Sequence, residues 1–282
     1  MVVDAHTHIF PPEVASGRER FFSGEPEFRM LYASRKAKMA VAGNLIESMD
    51  ENGIDYSVVF GFPWRGEENL TRHNDYVIES AARHPDRLIA FACLDLSSQN
   101  CLFEAQRRLR EGVAGFGELA IYSAGDDLGL ALKNLEHLAD LCRENDLVLL
   151  AHANEPIGHK YPGKAPFGLD LYYAMAKAAA GANLILAHWG GGLLFFELLK
   201  KDAPDVLANV YYDTAASPFL YRHDIYPAAA RIAGEGKILF GSDYPLISPK
   251  RYFEEMMQSG LTASQINAVS GGNAARLFGL KN

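Results

Sequence analysis

Val148-Leu149-Leu150-Ala151-His152 is a short apolar run that ends on a metal-type ligand, and Leu184-Ile185-Leu186-Ala187-His188 repeats the pattern one helical segment later. Runs of this length, bounded by turn residues, fit strands buried on both faces. Others end the same way. Gly115-Phe116-Gly117-Glu118 and Leu239-Phe240-Gly241-Ser242-Asp243 close on carboxylates, and Val2-Val3-Asp4-Ala5-His6-Thr7-His8 closes on two histidines. Strand side chains alternate, so His6 and His8 point the same way and lie close enough to share one ion.

Between such runs lie longer amphipathic segments, the pattern of repeated strand-helix units and a parallel sheet. Strands are predicted at 2–6, 56–61, 88–94, 114–119, 147–152, 183–188, 209–213 and 237–242, and helices at 44–52, 71–83, 99–111, 128–144, 169–179, 193–201, 227–233, 249–258 and 263–277. Gly53 suits a left-handed cap on the first helix. Eight units in succession predict an α/β fold: a closed (β/α)8 TIM barrel forming a single domain over 1–282, with its active site at the carboxyl ends of the strands. All six candidate ligands fall at such ends. Two long connections lie on that face. Residues 10–43, with Phe21, Phe22, Arg29 and Arg35-Lys36-Ala37-Lys38, are expected to form an active-site lid inserted after strand 1; the other is 153–168.

The 282 residues are 49% hydrophobic, enough for a large core, and carry a formal net charge of −8 without a Lys/Arg block. That balance argues against nucleic acid or an anionic membrane as partner and favours a small-molecule substrate; a homo-oligomer is compatible with it. Cys93, Cys101 and Cys142 lack metal or disulfide-scaffold spacing and read as buried thiols. With a ligand-bearing strand beginning at Met1 and no apolar stretch of membrane-spanning length, a cytoplasmic protein is expected.

Imidazole and carboxylate donors suit a divalent metal, zinc first, with manganese or iron as alternatives, and a ligand set without cysteine points to catalysis rather than a structural zinc. The metal candidates are His6, His8, Glu118, His152, His188 and Asp243. Asp243 is also the candidate proton acceptor for a metal-activated water. If Glu118 bridges two ions, His6, His8 and Asp243 would hold one and His152 with His188 the other, about 3.5–4 Å apart.

The chain resembles the amidohydrolase superfamily of metal-dependent hydrolases, and within it the amidohydrolase-related group that also contains non-oxidative decarboxylases. The resemblance runs along the whole chain through DAHTHIF, SMDENGID, LLAHANEP, LILAHWGGG, VYYDTAASP, FGSDYP and GGNAARLFGL, in order. It implies that His6, His8, His152, His188 and Asp243 occupy the family's metal and proton-transfer positions. In a one-metal site His188 would instead orient water or polarise the substrate carbonyl. Glu118 departs from the decarboxylase branch, and GELAIYS resembles a Gly-Glu segment of the TatD-like hydrolases. The expectation is therefore hydrolysis of an amide, lactone or ester bond in a small acidic organic molecule. Decarboxylation of an aromatic or unsaturated acid is the alternative, and a TatD-like nuclease or a non-catalytic binding barrel ranks behind both.

Weaker substrate-binding candidates are Trp64 and Arg65, which could stack on and pair with an acid or simply pack a loop, and His159, Tyr161 and Lys164 in the strand-five loop. Asp213 reads as a buried acceptor for neighbouring backbone. Gly190, Gly191 and Gly192 let backbone approach the pocket, and His73, His84, His137 and His223 read as structural or surface residues.

Overall fold

A computed structural model describes residues 1–123, 125 and 127–281. Its eight strands run in parallel in sequence order: β1 (Val3–His8), β2 (Tyr56–Phe60), β3 (Leu88–Ala92), β4 (Gly115–Leu119), β5 (Val148–Ala151), β6 (Asn183–Leu186), β7 (Val210–Asp213) and β8 (Ile238–Leu239). The first and last strands meet through Ala5 N to Phe240 O (2.8 Å), Asp243 N to His6 O (3.0 Å) and His8 N to Tyr244 O (2.8 Å), which brings the sheet round into a (β/α)8 barrel. Period-two alternation distributes the apolar side chains. Val148, Leu150 and Ile185 belong to one buried cluster, with Val58, Phe60 and Phe91, while Leu149, Leu184 and Leu186 belong to the other, beneath the helices.

In chain order the first seven helices are α1 (Pro12–Ser16), α2 (Pro26–Tyr32), α3 (Ala42–Asn52), α4 (Glu67–Arg83), α5 (Cys101–Arg110), α6 (Leu128–Asn145) and α7 (Leu169–Ala178). Gly53 caps α3 at φ 65°, as its missing Cβ allows. The segment after β1, expected to act as a lid, carries α1 and α2 and is packed down by aromatic rings: Phe28 lies 4.1 Å from Trp64 and 4.9 Å from Tyr32.

The structure departs from the sequence reading at two helices. Residues 193–201 were expected to be helical; Leu193–Leu198 form a tighter 3-10 turn that starts from the left-handed Gly192. The last helix, expected to be continuous, is interrupted by a π turn at Ala268–Gly272. There Gly271 lies so close to β1 that a Cβ would stand 2.4 Å from the carbonyl oxygen of Met1. Strands also stop short of their ligands. β6 ends at Leu186 and β8 at Leu239, because the chain turns out of the ladder to present His188 and Asp243.

Where β3 runs out of strand partners, a helix side chain completes its hydrogen bonds. Asn74 of α4 is fully buried, accepts from Cys93 N and donates to Cys93 O, both at 2.9 Å. Removing it strands a buried N–H and C=O together. Asn74→Ala should therefore cost about 2–4 kcal/mol in denaturant unfolding. A loss below about 0.5 kcal/mol, the range of a neutral surface change, would refute this role.

Candidate functional site

Three histidines are oriented from behind. His6 Nδ1 donates to Asp213 Oδ2 (2.8 Å), His8 Nδ1 to the Gly61 carbonyl (3.0 Å) and His188 Nδ1 to the Ala215 carbonyl (2.9 Å). With each Nδ1 committed to an acceptor, each Nε2 is left as the free donor atom toward the barrel axis. Phe60 supports two of these rings, with centroids 5.0 Å from His6 and 4.7 Å from His8.

The facing atoms are closely spaced. His6 Nε2 and His8 Nε2 are 3.3 Å apart, Asp243 Oδ1 is 3.7 and 3.5 Å from them, and Glu118 Oε2 is 3.7 Å from His8 Nε2. Two imidazole lone pairs at that separation need a cation between them, either a proton or a metal. Tetrahedral ligands at zinc-like bond lengths are themselves about 3.3 Å apart, so the set fits a divalent ion. Charge balance agrees: the ion-pair contacts of Glu118, Asp213 and Asp243 among the described residues run to histidines.

His152 is placed differently. Its Nδ1 lies 2.9 Å from Glu118 Oε1, a hydrogen-bond distance, while His188 Nε2 is 3.7 Å from the same oxygen. Its Nε2 is buried without a partner. The structure thus brings all six metal candidates together in three overlapping triads, with Glu118 reaching toward both histidine groups.

Asp213 holds this arrangement. Its Oδ2 takes the His6 ring, and its Oδ1 accepts from the backbone of His188 (2.9 Å) and Ala215 (3.0 Å), as expected of a buried acceptor. The glycine run behaves as anticipated, since a Cβ on Gly191 would stand 2.3 Å from the Asn154 carbonyl. His188 and Asp243 both have φ 56°, a left-handed conformation that costs a non-glycine residue about 1–3 kcal/mol and is typical of functional positions.

On His6, His188, Glu118 and Asp243 burial opposes charge, and neighbouring charges outweigh it. For His6, Asp213 with Glu118 and Asp243 overcomes burial and raises the imidazole to about 10. For His188, Glu118 and Asp243 overcome burial and raise it to about 9. Asp243 falls to about 2 and Glu118 falls well below its usual value, in each case because the histidines outweigh burial.

The weaker candidates resolve as packing. Trp64 is 1% exposed, and its indole N–H donates to His73 Nδ1 (2.8 Å), whose Nε2 donates to the Ile9 carbonyl (2.6 Å). Burial lowers His73 to about 4, so it is the neutral ring that this relay requires. Trp64 is therefore a core residue rather than a stacking platform. Arg65 forks onto Glu27 through two 2.7 Å bonds, a carboxylate of the protein itself in place of a substrate acid. In the strand-five loop Glu155 takes both the Tyr161 hydroxyl and the Lys164 ammonium at 2.8 Å; His159 is exposed, edge-on to Tyr161.

Sequence reasoning passed over three residues. Asp4 is fully buried two residues before His6, and its Oδ1 accepts from Ser242 N (2.9 Å) and His6 N (3.2 Å). Burial raises it to about 7 against those bonds. Burial raises the phenols of Tyr32 and Tyr122, and the charges of Asp243 and Glu118 raise them further; the Tyr122 ring lies 5.3 Å from that of His152, and Phe62 links it to Tyr32. Tyr122 stands four residues after Glu118, just beyond the end of β4 at Leu119, and so is close to the site in sequence.

At neutral pH the metal-free site therefore stores protons where a cation would sit. Raising the pH removes these competitors, so metal affinity should rise from pH 6 to about 9–10, and binding at pH 7 should release about one to two protons. Calorimetry in buffers of different ionisation enthalpy reads the count, and a count of zero would contradict the proton-loaded site.

No curated protein matches the chain. Solved structures similar to it include a dihydroxybenzoic acid decarboxylase from Polaromonas sp. JS666 with bound manganese and the inhibitor 2-nitroresorcinol (18% identity, 100% of this chain and 97% of that one, TM-score 0.75). Others are a 2,6-dihydroxybenzoate decarboxylase complexed with 2,6-dihydroxybenzoate (20%, 99% of both, 0.73) and a Pseudomonas putida protein assigned as a 2-pyrone-4,6-dicarboxylic acid hydrolase (16%, 100% and 98%, 0.68). At these identities they share the barrel with this chain. The amidohydrolase family profile matches residues 3–280, so the chain belongs to the amidohydrolase family.

Proposed function

We propose that the chain is a metal-dependent hydrolase that opens an amide, lactone or ester bond in a small acidic organic molecule. The observation that carries this reading is the convergence of His6, His8, Glu118 and Asp243 donor atoms at 3.3–3.7 Å spacing, with imidazole tautomers already set. Smallness is supported by a nearly closed mouth: the side chains of His8 and Asp243 are only 12% and 14% exposed. An acidic substrate is supported by the similar structures, whose names specify carboxylic acids.

His6, His8, Glu118 and Asp243 would hold a divalent ion, zinc by preference and manganese or iron by the same donor chemistry, and its Lewis acidity would polarise a carbonyl and lower the pKa of water. Asp243, ionised down to about pH 2, accepts the proton of the attacking water and returns it to the leaving group. His188, its Nδ1–H tied to Ala215, directs Nε2 at the carbonyl oxygen and steadies the charge that develops there. His152, hydrogen-bonded through Nδ1 to Glu118 Oε1 at 2.9 Å, holds that carboxylate in position.

One observation favours decarboxylation as a second reading. The 2.9 Å hydrogen bond between His152 Nδ1 and Glu118 Oε1 already occupies one oxygen of that carboxylate, which disfavours Glu118 as a bridge between two ions and supports a single-ion centre. Asp243 or His188 would then deliver a proton to the carbon that loses CO2. Metal-loaded protein incubated with lactones, N-acyl amino acids and aromatic carboxylic acids separates the two, since hydrolysis yields acid or amine without gas and decarboxylation yields CO2.

Asp243→Asn should keep the fold and much of the metal yet lower turnover by at least about a hundredfold, because an amide cannot take the proton from water. Near wild-type turnover across the pH range would move proton transfer to His188. Elemental analysis of Glu118→Gln should show about one ion fewer if Glu118 bridges two. One ion in both proteins would select the single-ion centre, and with it the second reading.

A further inference from the structure

Four rings form a continuous wall beside the metal ligands. Tyr32, at the end of α2, meets Phe62 edge-on at 6.1 Å; Phe62 lies parallel to Tyr122 at 6.3 Å; and Tyr122 meets His152 at 5.3 Å. Phe10 and Phe28 back Tyr32 at 5.2 and 4.9 Å, so its ring is fixed in place.

The polar atoms of this wall are idle. Tyr172 and Tyr252 spend their hydroxyls on Asn154 and on the Ser242 carbonyl, whereas neither the Tyr32 nor the Tyr122 hydroxyl has a hydrogen-bond partner among the described residues. They also differ from Tyr212 and Tyr226, whose unpartnered hydroxyls are sealed from solvent. The His152 ring, 9% exposed, borders them and is tied to Glu118 through Nδ1. Partly buried phenols ordinarily find partners, so two idle donors on one wall point to a ligand that supplies them.

We propose that Tyr32 and Tyr122 are substrate-binding residues whose hydroxyls donate to an oxygen of a flat, conjugated ligand lying along Phe62, with His152 contacting the same molecule. Ring faces and edges offer a π-surface that a saturated, puckered molecule matches poorly. A phenol hydroxyl can donate to a ligand oxygen that carries or gains negative charge, which is the partner this wall offers. The inference rests on the metal-site reading above, since it places the ligand against that cluster.

The test uses metal-loaded protein and two probe acids, 4-nitrobenzoate and cyclohexanecarboxylate, titrated by calorimetry, with metal content measured on the same samples. 4-Nitrobenzoate should bind at least about fivefold more tightly than the saturated acid. Tyr32→Phe and Tyr122→Phe, which keep the rings and remove only the hydroxyls, should each weaken it about tenfold at unchanged metal content. Unchanged affinity in both variants, no preference for the flat acid, or metal lost from the variants would each overturn the proposal. Wild-type protein that takes up no metal would instead bring down the metal-site reading, and the probe comparison would still report on the phenols.

Discussion

The carboxylate of Asp213 is the contact on which the site depends. It sits at the end of β7 and is fully buried, yet it serves three partners: the ring of His6 on β1, the backbone N–H of His188 beyond β6, and that of Ala215 in its own loop. One carboxylate thereby sets the tautomer of one candidate metal ligand and fixes the turn that presents another. The Ala215 carbonyl, positioned by the same turn, then orients the His188 ring. Contacts of this kind behind metal ligands carry tenfold to hundredfold effects on affinity, because they decide where each lone pair points.

Such an anion is tolerated only if positive charge comes with it. Asp213, Glu118 and Asp243 are withdrawn from water and meet histidines in their ion pairs, so the compensating charge is exchangeable, carried by protons in the free site and by a metal ion in the loaded one. Stability and function are linked at this point. The apolar core lies beneath the mouth, while the buried acids and histidines of the mouth depend on compensating positive charge.

The fold and the donor set were legible because both obey short-range rules. Apolar runs ending in His or Asp give strands, and the barrel places all strand ends at one mouth. Trp64 and Arg65 were not legible, since a ring and a cation after a strand look the same in sequence whether they face a substrate or face His73 and Glu27, which are distant in the chain. Tyr32 was hidden for the same reason: its place beside the site comes from α2 folding back onto Phe10 and Phe62. Tyr122 was within reach, since its spacing from Glu118 is local. The 3-10 turn at Leu193–Leu198 escaped because three consecutive positive-φ glycines precede it, and an apolar run alone does not reveal how the chain enters it.

The backbone explains why these ligands stand off the sheet. His6, His8 and Glu118 converge from within their strands, whereas β6 and β8 end before His188 and Asp243. Left-handed turns at His188 and Asp243 rotate the side chains inward instead, at about 1–3 kcal/mol each. Both turns are held by groups already in the site: Asp213 takes the His188 N–H, and the His6 carbonyl takes the Asp243 N–H. The strain of aiming one ligand is thus offset by hydrogen bonds to the residues that hold the others, and the cluster is rigid because no ligand can swing away without breaking a contact to its neighbours.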